Sequence, residues 1–184
     1  KLDELFSMSS ELGEEASMDI TGLIGQYAHG NEPSHHTTYM YAYSGQPYKI
    51  ADKVRYINNE LYSDEPDGLS GNEDCGQMSA WYIFSSIGFY PVNPSNGAYI
   101  FGSPLFDKVE INIPGKKKFK VVAENNNDKN IYIQSVSLNG KDYKYSYITH
   151  KQILEGGELK FVMGPNPNKK FGKDKKYRPA SIVY

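Results

Sequence analysis

Two stretches of this chain concentrate groups that can do chemistry. The first reads His29-Gly30-Asn31-Glu32-Pro33-Ser34-His35-His36, an amide, a carboxylate and imidazoles around a glycine. Side-chain oxygens and bare backbone carbonyls in such a turn suit a hard cation such as calcium. The histidines raise zinc as an alternative. However, His35 and His36 are adjacent and would diverge by about 100° on a helix. The chain also contains no H-E-x-x-H pattern. A plainer account is a helix start with Glu32 at its positive end. Spacing alone leaves both accounts open.

The second stretch runs Asp67-Gly68-Leu69-Ser70-Gly71-Asn72-Glu73-Asp74-Cys75-Gly76-Gln77. Neighbouring carboxylates at Glu73 and Asp74 repel if both are buried and charged, so at least one should be exposed, metal-linked or raised in pKa. Carboxylates in glycine-containing turns suit acid–base work on sugars. Here too a structural reading competes, because either carboxylate can accept N–H bonds at the start of the helix that follows. Phosphate-cradling loops, the G-x-S-x-G elbow and EF-hand spacing are all missing from the sequence. The polar run 125–130 reads as a surface loop between strands.

These stretches need elements to hold them. Leu2, Leu5 and Phe6 form a short amphipathic stripe, a helix already in progress at Lys1. Ile50, Val54, Ile57 and Leu61 share one face of a helix over 47–62, with Pro47 in its first turn and Arg55 off the apolar face. Ser34 is placed to cap a helix through Ser44 that Gly45 ends. A fourth helix is predicted over 76–86, with Gly88 just past its end. Near residue 93 the period changes to two. Val109, Ile111 and Ile113 alternate with polar residues, and Phe119 with Val121, Ile131 with Ile133, Val136 with Leu138, and Leu159 through Met163 repeat the pattern. Asn96-Gly97 and Asn139-Gly140 are two-residue turn signals. The expected class is α+β, with residues 1–93 helical and 94–184 an antiparallel sheet or small sandwich.

Composition removes several classes. A formal net charge of −2 gives no field for nucleic acid, and no apolar run reaches the roughly 20 residues of a spanning helix. The basic stretch 169–178 reads as a solvated surface. One cysteine, Cys75, excludes an internal disulfide. The 16 tyrosines fit sugar clefts as a residue type, but strand preference favours strands and cores for any single one.

The wording of the two polar stretches goes further. Residues 19–36, D-I-T-G-L-I-G-Q-Y-A-H-G-N-E-P-S-H-H, and 66–91, P-D-G-L-S-G-N-E-D-C-G-Q-M-S-A-W-Y-I-F-S-S-I-G-F-Y-P, resemble glycoside hydrolase family 92, the calcium-dependent exo-α-mannosidases. Weaker similarity continues through Gly102-Ser103-Pro104 and from Gly156 to Gly164. The resemblance implies a larger enzyme in which this chain supplies the last helices of an (α/α)6 barrel and a C-terminal β region. It implies inversion at mannose, with an acid and a base roughly 6.5–9.5 Å apart. Asp74 looks like the general base. Two positions before it, where family members often carry an acid, stands Asn72, which can orient water. Asn31 and Glu32 look like the calcium residues, and His35, His36, Glu73 and Gln77 are expected near substrate.

The general acid would lie upstream of Lys1, so the resemblance also implies that this chain alone is inactive. The expected partners are a mannose-containing glycan and the N-terminal part of the same enzyme, with self-association through an exposed seam. The expected location is periplasmic, cell-surface or secreted. Two rival readings stay open: a non-catalytic carbohydrate-binding or structural β-module, and a glycosyl phosphorylase. If the hydrolase reading holds, Glu32 and Asp74, each at a helix start, should share one rim.

Overall fold

A computed structural model describes residues 1–13, 16–17 and 20–181. Asp19, the first residue of the earlier motif, lies outside them. The N-terminal stripe forms a short helix, α1 (Leu2–Ser7). A small antiparallel ribbon follows, β1 (Leu23–Ile24) with β2 (Tyr27–Ala28). The 50-54-57 periodicity produces α2 (Tyr48–Glu60), with Pro47 immediately ahead and Ile50, Val54 and Ile57 fully buried. The helix α3 (Gln77–Ile87) stops at Gly88, whose φ of 114° aims its amide back at the carbonyls of Phe84 and Ser85.

The helix expected from Ser34 to Ser44 is replaced by two 3-10 turns, Glu32–Ser34 and Thr37–Ala42. Ser34 does not cap. Its hydroxyl donates to the carbonyls of Ala28 and Asn31. The tighter winding follows from what must be buried: Thr38 with Tyr41, and Tyr39 with Ala42, are pairs three residues apart, and all four are interior. Three residues per turn stack such pairs on one line, whereas an α-helix spreads them. The segment ends at Ala42, three residues before Gly45, which takes φ 77° in the turn that follows.

After the β1–β2 ribbon, the next strand begins at Phe89. The change of character at residue 93 therefore falls at the end of a strand, β3 (Phe89–Asn93), which pairs with β4 (Ala98–Phe101). The expected two-residue turn at Asn96-Gly97 is a 3-10 turn, Pro94–Asn96, closed by Gly97. Then come β5 (Lys108–Ile113), β6 (Lys117–Glu124), β7 (Tyr132–Leu138), β8 (Lys141–Asp142), β9 (Tyr147–Thr149), α4 (His150–Glu155) and β10 (Gly157–Gly164). Asn139 and Gly140 both have positive φ, as a type I′ turn between β7 and β8 requires.

The larger sheet has the order β5-β6-β10-β7-β8 and the smaller β3-β4-β9. The sheets are not wholly antiparallel, because β10 runs parallel to β6. It fills the slot between β6 and β7, which run in opposite directions, so it must be parallel to one of them. Phe101 of the small sheet meets Phe161 of the large one edge-to-face at 5.1 Å, inside a shared apolar core. A second core surrounds Trp81, with Tyr27, Tyr39, Tyr41 and Tyr90. Most of the large aromatic surface is thus spent on packing. Arg55 joins the helical and β halves. It is only 6% exposed, and it donates to Ser103 Oγ at 2.9 Å, to the Pro104 carbonyl and to Asn126 Oδ1. The loop 125–130, expected as plain surface, therefore anchors the buried Arg55.

Candidate active site

The two polar stretches meet at backbone level. The amides of His29 and Gly30 donate to the carbonyls of Gly22 and Thr21, extending the β1–β2 ribbon by one more pair. Thr21 Oγ1 then donates to the carbonyl of Ser70 in the second stretch. That carbonyl lies so close to Gly30 that a Cβ there would collide with it, and a Cβ on Gly71 would sit 2.9 Å from the Gly30 carbonyl. Glycine at both positions is what lets the two backbones touch.

Beside this junction opens a cleft of about 640 Å³, lined among others by Asn31, Glu32, Asn72 and Asp74. Glu32 and Asp74 therefore share one rim. No aromatic side chain is among the described residues that line it. Asp74 is exposed, and no hydrogen bond to its carboxylate is found among the described residues. It sits at φ 46°, followed by Cys75 at 58° and Gly76 at 89°. Three consecutive left-handed residues are rare, and such strain concentrates at functional sites. Glu32 is half-buried, and its Oε1 is closed to solvent with no hydrogen-bond partner. A carboxylate oxygen left in that state needs a cation or a donor hydroxyl to offset its desolvation.

Residues 1–165 match the glycosyl hydrolase family 92 catalytic domain. The chain belongs to that family. Among solved structures, the family GH92 alpha-mannosidase BT3965 from Bacteroides thetaiotaomicron superposes with a TM-score of 0.89 at 43% identity. That match covers 100% of this chain and 24% of BT3965. The family GH92 inverting mannosidase BT2199 of the same organism gives 0.84 at 38% identity, over 98% of this chain and 26% of that one. An uncharacterized secreted glycosidase of Arthroderma benhamiae is 36% identical over 138 residues, covering 73% of this chain and 18% of the relative. The family 92 chain described here thus spans about a quarter or less of the length of these relatives.

The other expected site residues of this family 92 chain divide by position. Glu73 does not line the cleft. Both its oxygens are engaged by Ser79, from the amide at 3.0 Å and the hydroxyl at 2.7 Å, and these bonds hold its pKa below the usual carboxylate value. It tethers the first turns of α3. His36 is exposed and is not among the residues that line the cleft, while His35 is 1% exposed and does not line it either. Gln77 opens α3 and reaches inward to His35 and Tyr90. The parts that residue-type reasoning passed over are Thr21, Gly30, Ser70 and Gly71, which weld the two loops. Their signal was present, since each loop holds a glycine where its partner's backbone arrives.

Behind the loops lies His29, with no exposed surface and its ring 4.4 Å from that of Trp81. The Tyr62 hydroxyl spends its proton on the Met78 carbonyl, so it must accept from His29 Nε2 at 2.7 Å. Nδ1 of His29 then accepts from Tyr27 at 2.9 Å. Burial, reinforced by nearby His35, pushes the His29 pKa from 6.5 down to about 3. Between pH 6.5 and 3 the unfolded chain binds a proton that the folded one refuses, so stability falls on acidification across that window. His29→Gln, which keeps one donor and one acceptor, is expected to flatten that acid limb. Urea midpoints measured from pH 7 to pH 4 check it, and an unchanged slope would show that His29 does not set it.

Proposed function

We propose that this chain is the C-terminal part of a calcium-dependent, inverting exo-α-mannosidase that removes α-linked mannose from glycans such as N-glycans or mannan. The observation that carries the reading is the shared cleft. The exposed Asp74 and the half-buried Glu32, whose Oε1 is closed to solvent without a hydrogen-bond partner, both line it, in a chain that belongs to family 92. Two relatives support the mannose assignment: one solved in complex with mannoimidazole at 44% identity, and one described as an inverting mannosidase.

In this reading residues 1–93 are the last helices of an (α/α)6 barrel and 94–184 the β region behind them. Asp74 takes the proton of a water attacking the anomeric carbon, and Asn72 orients that water. The departing oxygen leaves with a proton from an acid supplied by another part of the enzyme. Among the described residues no three His, Cys, Asp or Glu side chains converge on a metal position. Calcium nonetheless fits the donors present, since it accepts amide and carbonyl oxygens, and Asn31 with Glu32 would hold it. When bound, it supplies positive charge to the mannose hydroxyls. A sugar hydroxyl would also satisfy Glu32 Oε1 directly, so Glu32→Gln separates the two roles. As a calcium ligand, its loss raises the calcium concentration needed for activity. As a hydroxyl acceptor, its loss raises KM at saturating calcium.

Tyr56 and Ile83 remain 48% and 56% exposed on α2 and α3, on the seam that the rest of the enzyme would cover. The chain alone is expected to self-associate there and to be inactive. The A. benhamiae relative described as secreted supports an extracytoplasmic location. The deciding experiment is mannose release from α-linked mannobioses by the full-length enzyme, with and without a chelator. Chelator-sensitive release supports the reading. If no mannobiose is cut under any condition, the mannosidase reading is wrong and the β half should be tested as a sugar-binding module.

A further inference from the structure

The residue joining the two cleft loops from below is His35, and its bonds can be ordered proton by proton. Its Nε2 lies 2.9 Å from the carbonyl oxygen of His29, which can only accept, so Nε2 carries the hydrogen. Nδ1 is then a lone pair and accepts from Gln77 Nε2 at 3.1 Å. The second hydrogen of that amide goes to the Tyr90 hydroxyl at 3.1 Å. The backbone carbonyl of His35 accepts from Trp81 Nε1 at 3.2 Å. The loop carrying Asn31 and Glu32 is thus tied at its start, through His29, and at its end, through His35, to the helix α3. Gln77 is the first residue of that helix, and its amide donates to the carbonyl of Asp74 at 3.2 Å.

We propose that His35 and Gln77 form a positioning brace that sets the separation between Glu32 and the Asp74 carboxylate. Neither touches the cleft. They act through the two loops they join. The inference rests on the mannosidase reading for its kinetic consequence, and on the hydrogen bonds alone for its structural one. Misplacing a reacting group by about 1 Å costs roughly 100-fold in rate even when the change is remote.

The test uses the full-length enzyme with His35→Leu, Gln77→Leu, the double variant, and His35→Gln. Each single Leu variant is expected to lower kcat about 10- to 100-fold while KM moves much less. His35→Gln, which keeps a donor for His29, should recover part of the loss. The double variant should lose no more than the worse single one, as members of one unit do. Hydrogen exchange supplies a readout independent of turnover: in His35→Leu, amides at 70–77 should lose protection together with those at 29–36. A folded His35→Leu enzyme with normal kcat, additive losses in the double variant, or unchanged protection at 70–77 would each overturn the brace. Wild-type enzyme that cuts no mannoside would instead overturn the function, and the exchange result would still decide the brace.

Discussion

Asp74→Asn in the full-length enzyme is expected to lower kcat on mannobiose by about 10²–10⁴-fold, the usual contribution of a general base, with little change in KM. The substitution is clean for a local reason. Asp74 holds a left-handed backbone at φ 46°, and asparagine is among the few residues that adopt that conformation readily. The turn through Cys75 and Gly76 therefore survives, and so does the start of α3, because the amide of Gln77 needs only the backbone carbonyl of residue 74. No hydrogen bond to the Asp74 side chain is lost among the described residues. What disappears is the charge that accepts a proton from water. Asp74→Ala removes the charge too, but adds strain at a position that disfavours alanine, so its unfolding midpoint should drop where that of Asp74→Asn does not. Comparing the two by steady-state kinetics and thermal unfolding separates chemistry from folding. Full activity in a folded Asp74→Asn enzyme would remove Asp74 as the base.

Much of this arrangement is legible in the sequence because it is local. The 50-54-57 spacing predicts α2, Gly88 predicts the end of α3, and Asn139-Gly140 predicts the turn into β8, each from chemistry within a few residues. The pairing of the two polar loops at one rim follows from the family resemblance, and the structure brings Asn31, Glu32, Asn72 and Asp74 to one cleft. What is not legible depends on distant partners. Arg55 lies off the apolar stripe of α2 and is nevertheless buried, because Ser103, Pro104 and Asn126 close over it. The segment after Ser34 carries the marks of an α-helix but winds as 3-10, because four of its residues must face inward at once. The parallel step between β6 and β10 belongs to strand order, which period-two patterning does not encode. The helix α4 is a different case. Its Thr149–Gln152 capping box is a local signal that the sequence carries in plain view, within a stretch dominated by strand periodicity.

The weld between the loops yields the second large effect. In Gly30→Ala, the new methyl would run into the Ser70 carbonyl and Thr21 Oγ1, which are themselves hydrogen-bonded to each other. Neither is the free end of a flexible side chain. The Ser70 carbonyl is backbone, and Thr21 is fixed because its own carbonyl accepts from the amide of Gly30 at 3.2 Å. The loop at 68–72 must therefore back away, taking Asn72 and Asp74 from Asn31 and Glu32. Forcing a methyl into a close-packed contact costs about 1–3 kcal/mol. A shift of the base by an ångström should cost on the order of 100-fold in kcat. Gly13→Ala is the matched control, since no described residue lies within 4 Å of a Cβ there, and it should leave both quantities unchanged. Thermal unfolding and mannobiose kinetics on the two variants read the result. If Gly30→Ala keeps wild-type stability and rate, the close approach of the two backbones does not hold the site together, and the spacing of Glu32 and Asp74 must be fixed from the helix side alone.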